Sequence, residues 1–436
     1  MPAGTRPSEE GRLPLARHAV HRDRHPLVAF LAVIAVALAV IGVSATSVTA
    51  FSVWDAAHSL SANAVVLGED EPIPPSLGAI EGGANLLLVG TDSCEGENAA
   101  LSAACQNGDV DGERNDVTLL VHISDEPRRI TVVSFPRDMV VPIPACPTED
   151  GSGTYPAMSA QKLNVSYTYG GLACTALTVE SLIHDKIDFA AAIRWAGVIN
   201  MSDAIGGVDV CVTGDVHDPH TGLTLAAGTH TLEGRQALQF LRMRHGIGDG
   251  SDLGRISNQQ QFMSSMVRKL QSDAVLADPG VLFTLATTAI SQVQQKQLVL
   301  SQSLANPTLM VQIAMAAKDV PYEDIVFVQY PTAYSWDGVQ VYPVTEAADV
   351  LFSALQANQP LTLTGESSQG LAIEVTGEAV PQTPTPSETP SEEGGSDAAT
   401  ATPDPTGTPV VQERVDLPSD IAGQTAAQTT CTKPQE

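Results

Sequence analysis

Basic residues are scarce in this sequence, which has 22 Lys and Arg against 50 Asp and Glu among its 436 residues. The formal net charge, 22 minus 50, is therefore −28. A nucleic-acid partner would require a basic surface, so the charge argues against DNA or RNA and favours solubility. Length alone would allow two or three domains, but both ends differ in composition from the middle, which leaves one large core domain.

The motifs of two common hydrolase classes are also missing. The histidines near the charged motifs form no HExxH pair or similar metal-binding spacing: His217, His220, His230 and His245. No GxSxG motif is present, and no serine stands in a recognisable nucleophile motif. Zinc hydrolysis and covalent serine catalysis therefore have little support.

Ionisable side chains are absent from Leu27 to Val53, where most residues are Val, Ala, Ile, Leu or Phe. A helix of this length crosses the hydrocarbon core of a membrane. Five arginines precede it and four acidic residues follow, so the positive-inside rule places residues 1–26 in the cytoplasm and everything after Trp54 outside. A signal peptide cleaved near Val48–Ala50 is the alternative. We prefer an uncleaved single-pass anchor in the cell membrane, because the apolar run is longer than a usual signal peptide provides.

Two further segments have the composition of linkers. Residues 54–83 contain several prolines and glycines, which predict a short stalk. Residues 377–436 are rich in Pro, Thr, Ser and Glu, and they predict a disordered tail because few apolar groups offset the entropy of ordering. The last stretch, VDLPSDIAGQTAAQTTC, is more apolar and is expected to dock as a short addition if its cysteine is bridged.

Six cysteines stand at positions 94, 105, 146, 174, 211 and 431, and none forms a CxxC pair. An even count in an exported domain favours disulfides over buried or unpaired thiols, although 15 pairings are possible. Our hypothesis pairs Cys94 with Cys105 across a Gly/Asn-rich insertion. It also pairs Cys146 with Cys174, and Cys211 with Cys431, which would tie the end of the chain to the core.

Residues 84–376 alternate β-branched runs with amphipathic helical patterns. Strands are predicted over Asn85–Val89, Val117–Ile123, Arg129–Phe135, Phe189–Trp195, Val208–Val212 and Ile325–Gln329. Helices are predicted over Thr175–His184, Ala196–Ile205, Glu233–Arg242, Arg255–Ser272, Pro279–Val293 and Thr345–Ala357. This alternation predicts an α/β domain with three α-β-α layers and a central mixed sheet.

Arginines and aspartates punctuate these elements. Five arginines stand in short polar runs: Arg114, Arg137, Arg242, Arg244 and Arg255. Asp92 follows the apolar run NLLLVG, and Asp116 precedes VTLLVHI. Divalent cations take carboxylate oxygens, and guanidinium groups hold phosphate oxygens in pairs, so a pyrophosphate ligand would use both sets. Each arginine taken alone is also compatible with a solvated surface charge or a salt bridge.

Six ordered runs resemble the LytR-CpsA-Psr family: NLLLVGTDS, RNDVTLLVHI, VVSFPRDMVVPIP, KLNVSYTYGG, AIGGVDVCV and ALQFLRMRHGIGDGSDLGRISNQQQF. The resemblance spans Asn85 to Lys269, and six motifs in order are far more specific than a single short pattern. It implies a membrane-anchored enzyme with an extracellular α/β domain. Such enzymes attach wall glycopolymers to peptidoglycan from polyprenyl-pyrophosphate carriers.

The resemblance also implies roles for the acidic residues and the first arginines. Asp92 and Asp116 match the pair that binds Mg²⁺, and Arg114 and Arg137 match arginines that hold the pyrophosphate. The chain departs from the family pattern at Cys94, where relatives often have an arginine. One phosphate contact is therefore expected to be missing.

A second arginine group follows in the last run. Arg242, Arg244 and Arg255 match pyrophosphate-binding arginines of the family, and Gln259 is similar to a further contact. Asn258 stands where many relatives have another arginine, which lowers the cationic count at that end.

The implied reaction is phosphoryl transfer, in which a muramic acid hydroxyl of peptidoglycan attacks the sugar-side phosphorus and the lipid monophosphate departs. Positioning and charge neutralisation by Mg²⁺ and by Arg114, Arg137, Arg242 and Arg244 would lower the barrier. Asp138 is either a base for the hydroxyl or a salt-bridge partner that fixes Arg137.

The lipid requires an apolar site, and helical residues are candidates for lining a tunnel: Phe240, Leu241, Phe262, Met263, Met266 and Val267. Ordinary core packing is the alternative for side chains at this spacing. Two other functions stay open, namely hydrolysis of the polyprenyl pyrophosphate and binding of the lipid-linked polymer without turnover, in a regulatory envelope protein.

Overall fold

The computed structural model describes residues 60–62, 64–68, 74–80, 83–108, 112–148, 152–272, 275, 279–336, 340–365, 367, 372–379 and 413–435. The predicted cytoplasmic segment 1–26 and anchor 27–53 lie outside this set, as do residues 380–412 of the predicted tail. None of the helices within the described ranges is both long and apolar enough to span a membrane.

The strands, in chain order, are β1 Ala84–Thr91, β2 Asn115–Ile123, β3 Ile130–Phe135, β4 Val140–Ile143, β5 Cys146–Pro147, β6 Thr154–Tyr155, β7 Met158–Lys162, β8 Phe189–Arg194, β9 Val208–Val212, β10 Val216–Asp218, β11 Leu223–Leu225, β12 Gly228–Leu232, β13 Leu298–Leu300, β14 Ile325–Gln329, β15 Thr332–Tyr334, β16 Val341–Pro343, β17 Leu361–Thr362, β18 Ile373–Glu378, β19 Val415–Asp416, β20 Gly423–Thr425 and β21 Gln428–Thr432. The α-helices are α1 Ala103–Asn107, α2 Val165–Ile183, α3 Trp195–Ala204, α4 Gly234–Arg242, α5 Asp252–Gln271, α6 Pro279–Gln294, α7 Pro307–Lys318 and α8 Thr345–Gln356.

Seven strands form the central sheet, in the order β13-β8-β1-β2-β3-β14-β20. The pairs β1/β8 and β3/β14 are parallel, whereas β1/β2, β2/β3, β8/β13 and β14/β20 are antiparallel. The predicted α/β fold with a central mixed sheet is therefore confirmed. The predicted strands Val208–Val212 and Ile325–Gln329 have the same bounds in the structure.

Helices cover both faces of this sheet. On one face, Leu87 and Val133 pack in a core cluster with residues of α2 and α8, such as Val179 and Leu351. On the other face, strand residues such as Phe327 pack against the inner side of α5. Because strand side chains alternate between faces, neighbours such as Val132 and Val133 of β3 belong to opposite clusters.

One helix begins far from its predicted start, and another was not predicted, whereas the other five predicted helices agree within three residues at each end. Helix α2 begins at Val165, ten residues before the predicted Thr175. The predicted start was too late because Gly170 and Gly171, which are non-helical and introduce a kink, interrupt the helical pattern. Helix α7 was not predicted, and its exposed Val311 and Met315 explain why, since they blur the contrast between an apolar and a polar side.

The C-terminal prediction needs correction. A disordered tail from residue 377 onward is wrong at 377–378, which end β18, and at 413–435, which contain β19, β20 and β21. Strand β20 pairs with β14 at the edge of the central sheet, and β21 pairs with β18. Composition over 377–436 concealed this, because the strand edge with which β20 pairs belongs to β14, about a hundred residues earlier. The expected docking of the last stretch is confirmed.

All three hypothesised disulfides are confirmed, joining Cys94 to Cys105, Cys146 to Cys174 and Cys211 to Cys431. The described part of the predicted stalk also packs on the domain. Leu60 and Leu77 are buried in a cluster with Leu304, and the Val65 N–H donates to the Leu300 carbonyl over 2.8 Å. These residues therefore lie against the domain and do not act as a spacer.

Candidate active site

The carboxyl ends of parallel strands bring the predicted charged residues to one end of the central sheet. Asp92 directly follows β1, Arg137 follows β3 by one residue, and Asp116 lies near the start of the antiparallel β2. Since β2 runs in the opposite direction, its beginning meets the ends of β1 and β3. Ligands of open α/β sheets bind at this kind of edge.

Asp92 is held by the backbone of Arg114. The Arg114 N–H donates to Asp92 Oδ1 over 2.7 Å, and the Asp92 N–H donates to the Arg114 carbonyl over 3.1 Å. Burial, and next the negative charge of Asp116, raise the pKa of Asp92 to about 6. The two carboxylates are thus close enough to repel each other, whereas the Arg114 side chain is exposed.

Arg137 connects this pair to other acidic residues. Its Nη1 lies 2.6 Å from Asp116 Oδ1, and its Nε lies 3.4 Å from Asp138 Oδ2 and 3.6 Å from Asp252 Oδ1. Burial would lower the pKa of Arg137, but the charges of Asp116 and Asp252 raise it above its ordinary value. Its guanidinium therefore stays charged at the centre of the site.

The second arginine group reaches the same place from α4 and α5. Arg242, the last residue of α4, stacks on Trp195 with its Cζ 3.9 Å from a ring centroid. Burial lowers the pKa of Arg242, and the charges of Asp116 and Asp92 partly offset this, which places all three near one another. Arg255 is buried and donates from Nη2 to the Asp116 carbonyl over 3.0 Å.

Asp252 is the central residue that the sequence analysis missed. Its Oδ1 lies 2.9 Å from Arg255 Nη2, 3.6 Å from Arg137 Nε and 3.9 Å from Arg244 Nε. Ser251 caps α5 just before it, accepting from the Gly254 N–H, so Asp252 occupies the first turn at the positive end of the helix dipole. Its position three residues before Arg255 was the available signal for this pair.

Several buried polar atoms here lack a hydrogen-bond partner among the described residues: Arg137 Nε, Arg244 Nε, Arg255 Nε, Asp252 Oδ1 and Asp252 Oδ2. An unsatisfied buried polar group costs about 1–3 kcal/mol, so such a concentration requires an explanation. The ion pairs bring opposite charges close without well-aligned hydrogen bonds. The arrangement suits an anion that would enter and accept from the guanidinium groups.

Two polar residues of α5 are engaged elsewhere. Gln259 Nε2 donates to the Leu241 carbonyl over 2.9 Å, and Asn258 Nδ2 donates to the Phe240 carbonyl over 2.8 Å. Both side chains are buried and hold the last turn of α4. They therefore support the position of Arg242, and the predicted pyrophosphate contact of Gln259 stays a prediction.

Asp138 lies beside the site in two ion pairs. Lys162 Nζ donates to its Oδ1 over 2.8 Å, and Arg137 approaches its Oδ2. Burial would raise the pKa of Asp138, but the Lys162 hydrogen bond and the charge of Arg137 hold it below the ordinary value. A carboxylate of lowered pKa is a weaker base, so this geometry favours the salt-bridge role over the base role.

The carboxylate pair meets the requirements of a magnesium site only in part. No group of three or more His, Cys, Asp or Glu side chains suited to a metal lies within the described residues. Mg²⁺, however, is commonly bound by one or two carboxylates together with substrate phosphates and waters. Repulsion between Asp92 and Asp116 contributes to the raised pKa of Asp92, so a divalent cation bound by both carboxylates would fit the donor set.

The six predicted lipid-binding residues divide into two groups. Phe240 and Phe262 are buried in a cluster of their own, with ring centroids 6.3 Å apart, as the core-packing alternative expects. Met263 and Val267 are half-buried and pack near Leu88, Val117 and Val121 on the sheet face, residues that are themselves incompletely covered. Leu241 and Met266 are half-buried at the margin of the first cluster.

Comparison with protein families gives a match to the LytR_cpsA_psr family over residues 55–357. The probable cell wall biosynthesis protein LcpB of Corynebacterium glutamicum is 30% identical over 228 residues, which cover 51% of this chain and 51% of that protein. The polyisoprenyl-teichoic acid–peptidoglycan teichoic acid transferase TagU of Bacillus cereus is 32% identical over 180 residues, covering 41% of this chain and 54% of its own length. The chain spans about half the length of the curated relatives it matches.

Solved structures with a similar course of the chain include a LytR-Csp2A-Psr enzyme from Actinomyces oris. It is 22% identical with a TM-score of 0.47, and the match covers 67% of this chain and 95% of that one. A structure described as TagT bound to LI-WTA is 19% identical with a TM-score of 0.46, covering 67% of this chain and 98% of that one.

Proposed function

Because the chain belongs to the LytR-CpsA-Psr family, we propose that it transfers a glycopolymer from a polyprenyl-pyrophosphate carrier to peptidoglycan during cell-wall assembly. The names of its relatives support this class of reaction, since the Bacillus cereus protein is called a teichoic acid transferase to peptidoglycan. The proposal covers the enzyme, its lipid-linked substrate and its acceptor.

One observation carries the proposal: four arginines from three separate segments lie around Asp116 and Asp252, and several of their buried guanidinium nitrogens lack partners among the described residues. The arginines are Arg137, Arg242, Arg244 and Arg255. Three of them, Arg137, Arg244 and Arg255, have a buried Nε without a partner among the described residues, and a pyrophosphate would supply the missing acceptors. Arg114, exposed beside Asp92, would close the site around the bound substrate.

We propose that the reaction replaces one P–O bond by another. The oxygen of a muramic acid hydroxyl bonds to the sugar-side phosphorus while the bond from that phosphorus to the bridging oxygen breaks. The bridging oxygen leaves with the lipid monophosphate, the hydroxyl proton passes to solvent or to a nearby base, and a phosphodiester joins the sugar to the wall. No covalent enzyme intermediate is needed, so the protein contributes position and charge.

The arginines provide position and charge through their guanidinium N–H groups. Arg137 and Arg255 are held by Asp116 and Asp252, so their free N–H groups are fixed before substrate arrives. Donors preorganised in this way stabilise the charge that grows on the departing phosphate, and loss of one donor typically costs about 10²- to 10³-fold in rate. Trp195 keeps Arg242 in place by stacking.

Asp92 and Asp116 are the residues that would hold Mg²⁺. A bound Mg²⁺ would supply further neutralisation of the phosphate charge. The two carboxylates in turn orient the backbone of Arg114 and the side chain of Arg137, whether or not a cation is bound.

The lipid tail requires an apolar path from the phosphate site. We propose that it follows the half-buried strip between α5 and the sheet, formed by Met263 and Val267 on the helix and by Leu88, Val117 and Val121 on the strands. The strip begins close to the two carboxylates, because Val117 directly follows Asp116 and Leu88 lies in β1, which ends just before Asp92. Anchoring in the cell membrane through residues 27–53, with the domain outside, remains part of the proposal.

The decisive experiment incubates the purified chain with Mg²⁺, a defined prenyl-pyrophosphoryl sugar and a peptidoglycan acceptor. Transfer yields a sugar phosphate attached to the acceptor, hydrolysis yields free sugar phosphate, and binding without turnover leaves the carrier intact. We expect transfer. Free sugar phosphate as the only product would make the protein a hydrolase, and an intact carrier would refute an enzymatic role.

Asp116→Ala serves as the test variant, because Asp116 pairs with Arg137 and faces Asp92. We expect this variant to lose at least about 100-fold in transfer rate. Asp319→Ala is the matched control, since Asp319 is an exposed aspartate after α7. Equal transfer by wild type and Asp116→Ala would overturn both the metal role and the site.

A further inference from the structure

The loop of residues 243–251, between α4 and α5, carries Arg244 and three glycines at 246, 248 and 250. All three glycines have positive φ, at 83°, 48° and 74°. Glycine loses more conformational freedom on ordering than any other residue. A loop of this composition does not fix an arginine by itself, so its position depends on contacts with other segments.

One side of the loop is fixed by the hairpin β10–β11. The buried Asp218 accepts through Oδ2 from the N–H of Arg244 over 3.0 Å and from the N–H of His245 over 3.1 Å. Gly246 lies so close to this hairpin that an added Cβ would come within 2.2 Å of the His217 carbonyl oxygen. The loop is therefore in direct contact with the hairpin and has no room for a side chain at Gly246.

The opposite side is fixed by Lys433–Gln435, which follow β21. The Gly248 N–H donates to the Lys433 carbonyl over 3.1 Å, and the Gln435 N–H donates to the Gly246 carbonyl over 3.0 Å. Gln435 Oε1 also accepts from the Gly246 N–H over 3.0 Å. These three hydrogen bonds add a short strand-like pairing to the loop, centred on a bridge between Ile247 and Pro434.

The segment 433–435 is itself held at its start by α5. The buried Thr432 donates to Asn258 Oδ1 over 2.6 Å, and Gln261 Nε2 donates to the Thr430 carbonyl over 2.8 Å. Cys431 is covalently joined to Cys211 of β9. The segment thus leaves a rigid platform immediately before it meets the loop.

The Arg244 side chain has little else to fix it. Within the described ranges its one ion pair is with Asp252, which lies 3.9 Å from Nε, a distance too long for a hydrogen bond, and no described residue gives Nε a partner. Its position consequently follows the backbone of the loop. The backbone is bound on one side by Asp218 and on the other by residues 433–435.

We propose that Lys433–Gln435 are a positioning segment for Arg244, setting the loop so that this guanidinium points into the phosphate site. The proposal rests on the pyrophosphate-binding function proposed above. It assigns a role to residues well outside the family match, which ends at residue 357. The segment does not touch substrate, and it acts through the loop alone.

The first measurement compares amide hydrogen exchange in the wild-type chain with exchange in a chain that ends at Thr432. The shortened chain keeps β21 and the Cys211–Cys431 disulfide. We expect exchange at Gly246 and Gly248 to accelerate about tenfold, because their acceptors are removed, while exchange in α5 and β21 stays unchanged. Unchanged exchange at both glycines would overturn the proposal.

The second measurement is the affinity for inorganic pyrophosphate in a double-mutant cycle with Arg244→Ala. Shortening the chain should weaken affinity about tenfold when Arg244 is present and cause no further loss when it is absent. Equal weakening in both backgrounds would show a general effect on the fold and would contradict the positioning role. Gln435→Ala should show a smaller loss of the same kind, and the exposed Gln295→Ala is the matched control that should show none.

The two measurements separate this inference from the proposed function. If wild type binds pyrophosphate but never transfers glycopolymer, the proposed function fails and the positioning role stands on the cycle. If wild type binds no pyrophosphate, the proposed function falls, and the exchange rates alone then decide whether residues 433–435 hold the loop.

Discussion

The two ends of the central sheet differ in how completely their buried polar side chains are hydrogen-bonded. At the end where β1 and β3 finish, charged atoms of Arg137, Arg244 and Asp252 are buried and have no hydrogen-bond partner in the part of the chain that the structure describes. At the end where β1 and β8 begin, Asn85 Nδ2 donates to Asp185 Oδ2 over 3.0 Å and to the Lys186 carbonyl over 2.8 Å. The same strands therefore connect an incomplete network to a nearly complete one.

The network around Asn85 is closed by main-chain and side-chain contacts. Its N–H donates to Asp188 Oδ2 over 2.8 Å, and its Oδ1 lies 2.9 Å from His122 Nδ1 on the neighbouring strand. Most polar atoms at this end thus find partners within the protein, although His122 Nε2 does not. Unpartnered atoms at the other end belong mainly to charged groups, and they are costlier to leave unsatisfied.

This difference separates stability from function along a single sheet. The Asn85 end resembles an ordinary buried polar network, which specifies and stabilises the fold. The arginine end retains strain that a pyrophosphate would relieve, as expected of a site prepared for an anionic ligand. Substitutions at the two ends should consequently affect different measurements.

The largest effect should come from Arg137→Lys, which keeps the charge but loses the planar, multiply donating guanidinium. We expect kcat/KM for transfer to fall by about 10²- to 10³-fold, with little change in thermal unfolding. Arg129→Lys is the matched control, because Arg129 precedes the same strand β3 at the opposite end and bonds to Asn358. Comparable activity losses in both variants would remove the distinction between the ends.

The second prediction is a loss of stability without a loss of activity. Asn85→Ala removes the partners of Asp185 and His122, so the free energy of unfolding should fall by about 3 kcal/mol. The turnover of folded molecules should stay at the wild-type value. Urea denaturation measures the first quantity and transfer assays the second. Asn200→Ala, which removes a single half-buried hydrogen bond to Gln292, is the control with a smaller loss.

The third prediction concerns pH. Burial lowers the pKa of His122 from 6.5 to about 4, and the negative charges of Asp185 and Asp125 only partly oppose this. The unfolded chain therefore takes up a proton near pH 6.5, whereas the folded chain resists until about pH 4. The contribution of His122 to the free energy of unfolding is therefore fully present above pH 6.5 and is lost as the pH falls from 6.5 to about 4.

Between pH 7 and pH 5 this linkage should remove about 2 kcal/mol from the free energy of unfolding. Asp92, whose pKa is raised to about 6 in the folded chain, gains a proton in the same window and opposes this loss. Urea denaturation at both pH values therefore measures the His122 linkage as the difference between wild type and His122→Gln. His122→Gln should abolish this part of the pH dependence, and the exposed His217→Gln should leave it intact. A wild-type-like slope in His122→Gln would show that another group is responsible.

The smallest effect should come from Lys162→Ala. Lys162 is half-exposed, so its ion pair with Asp138 should contribute less than about 0.5 kcal/mol to stability. Transfer should change by no more than about twofold if Asp138 serves to fix Arg137.

Undiminished turnover in Asp138→Asn would exclude the base role, and a loss of about 100-fold or more would support it.

Local patterns determined much of this protein. Period-two and helical spacing located β9, β14 and most helices, because each pattern is a property of neighbouring residues. Six ordered motifs led to the family, and cysteine spacing led to the three disulfides. The sequence also placed Asp92, Asp116 and Arg137 at strand ends, and a mixed sheet brings those ends to one edge.

Other features depended on pairing between distant segments. The central place of Asp252, the engagement of Asn258 and Gln259 with carbonyls of α4, and the addition of β20 to the sheet became visible only with the chain folded. Composition marked residues 413–435 as tail because the surface that orders them lies in β14 and β18. Contacts between residues far apart in sequence leave no periodic trace, so only the tertiary structure decided them.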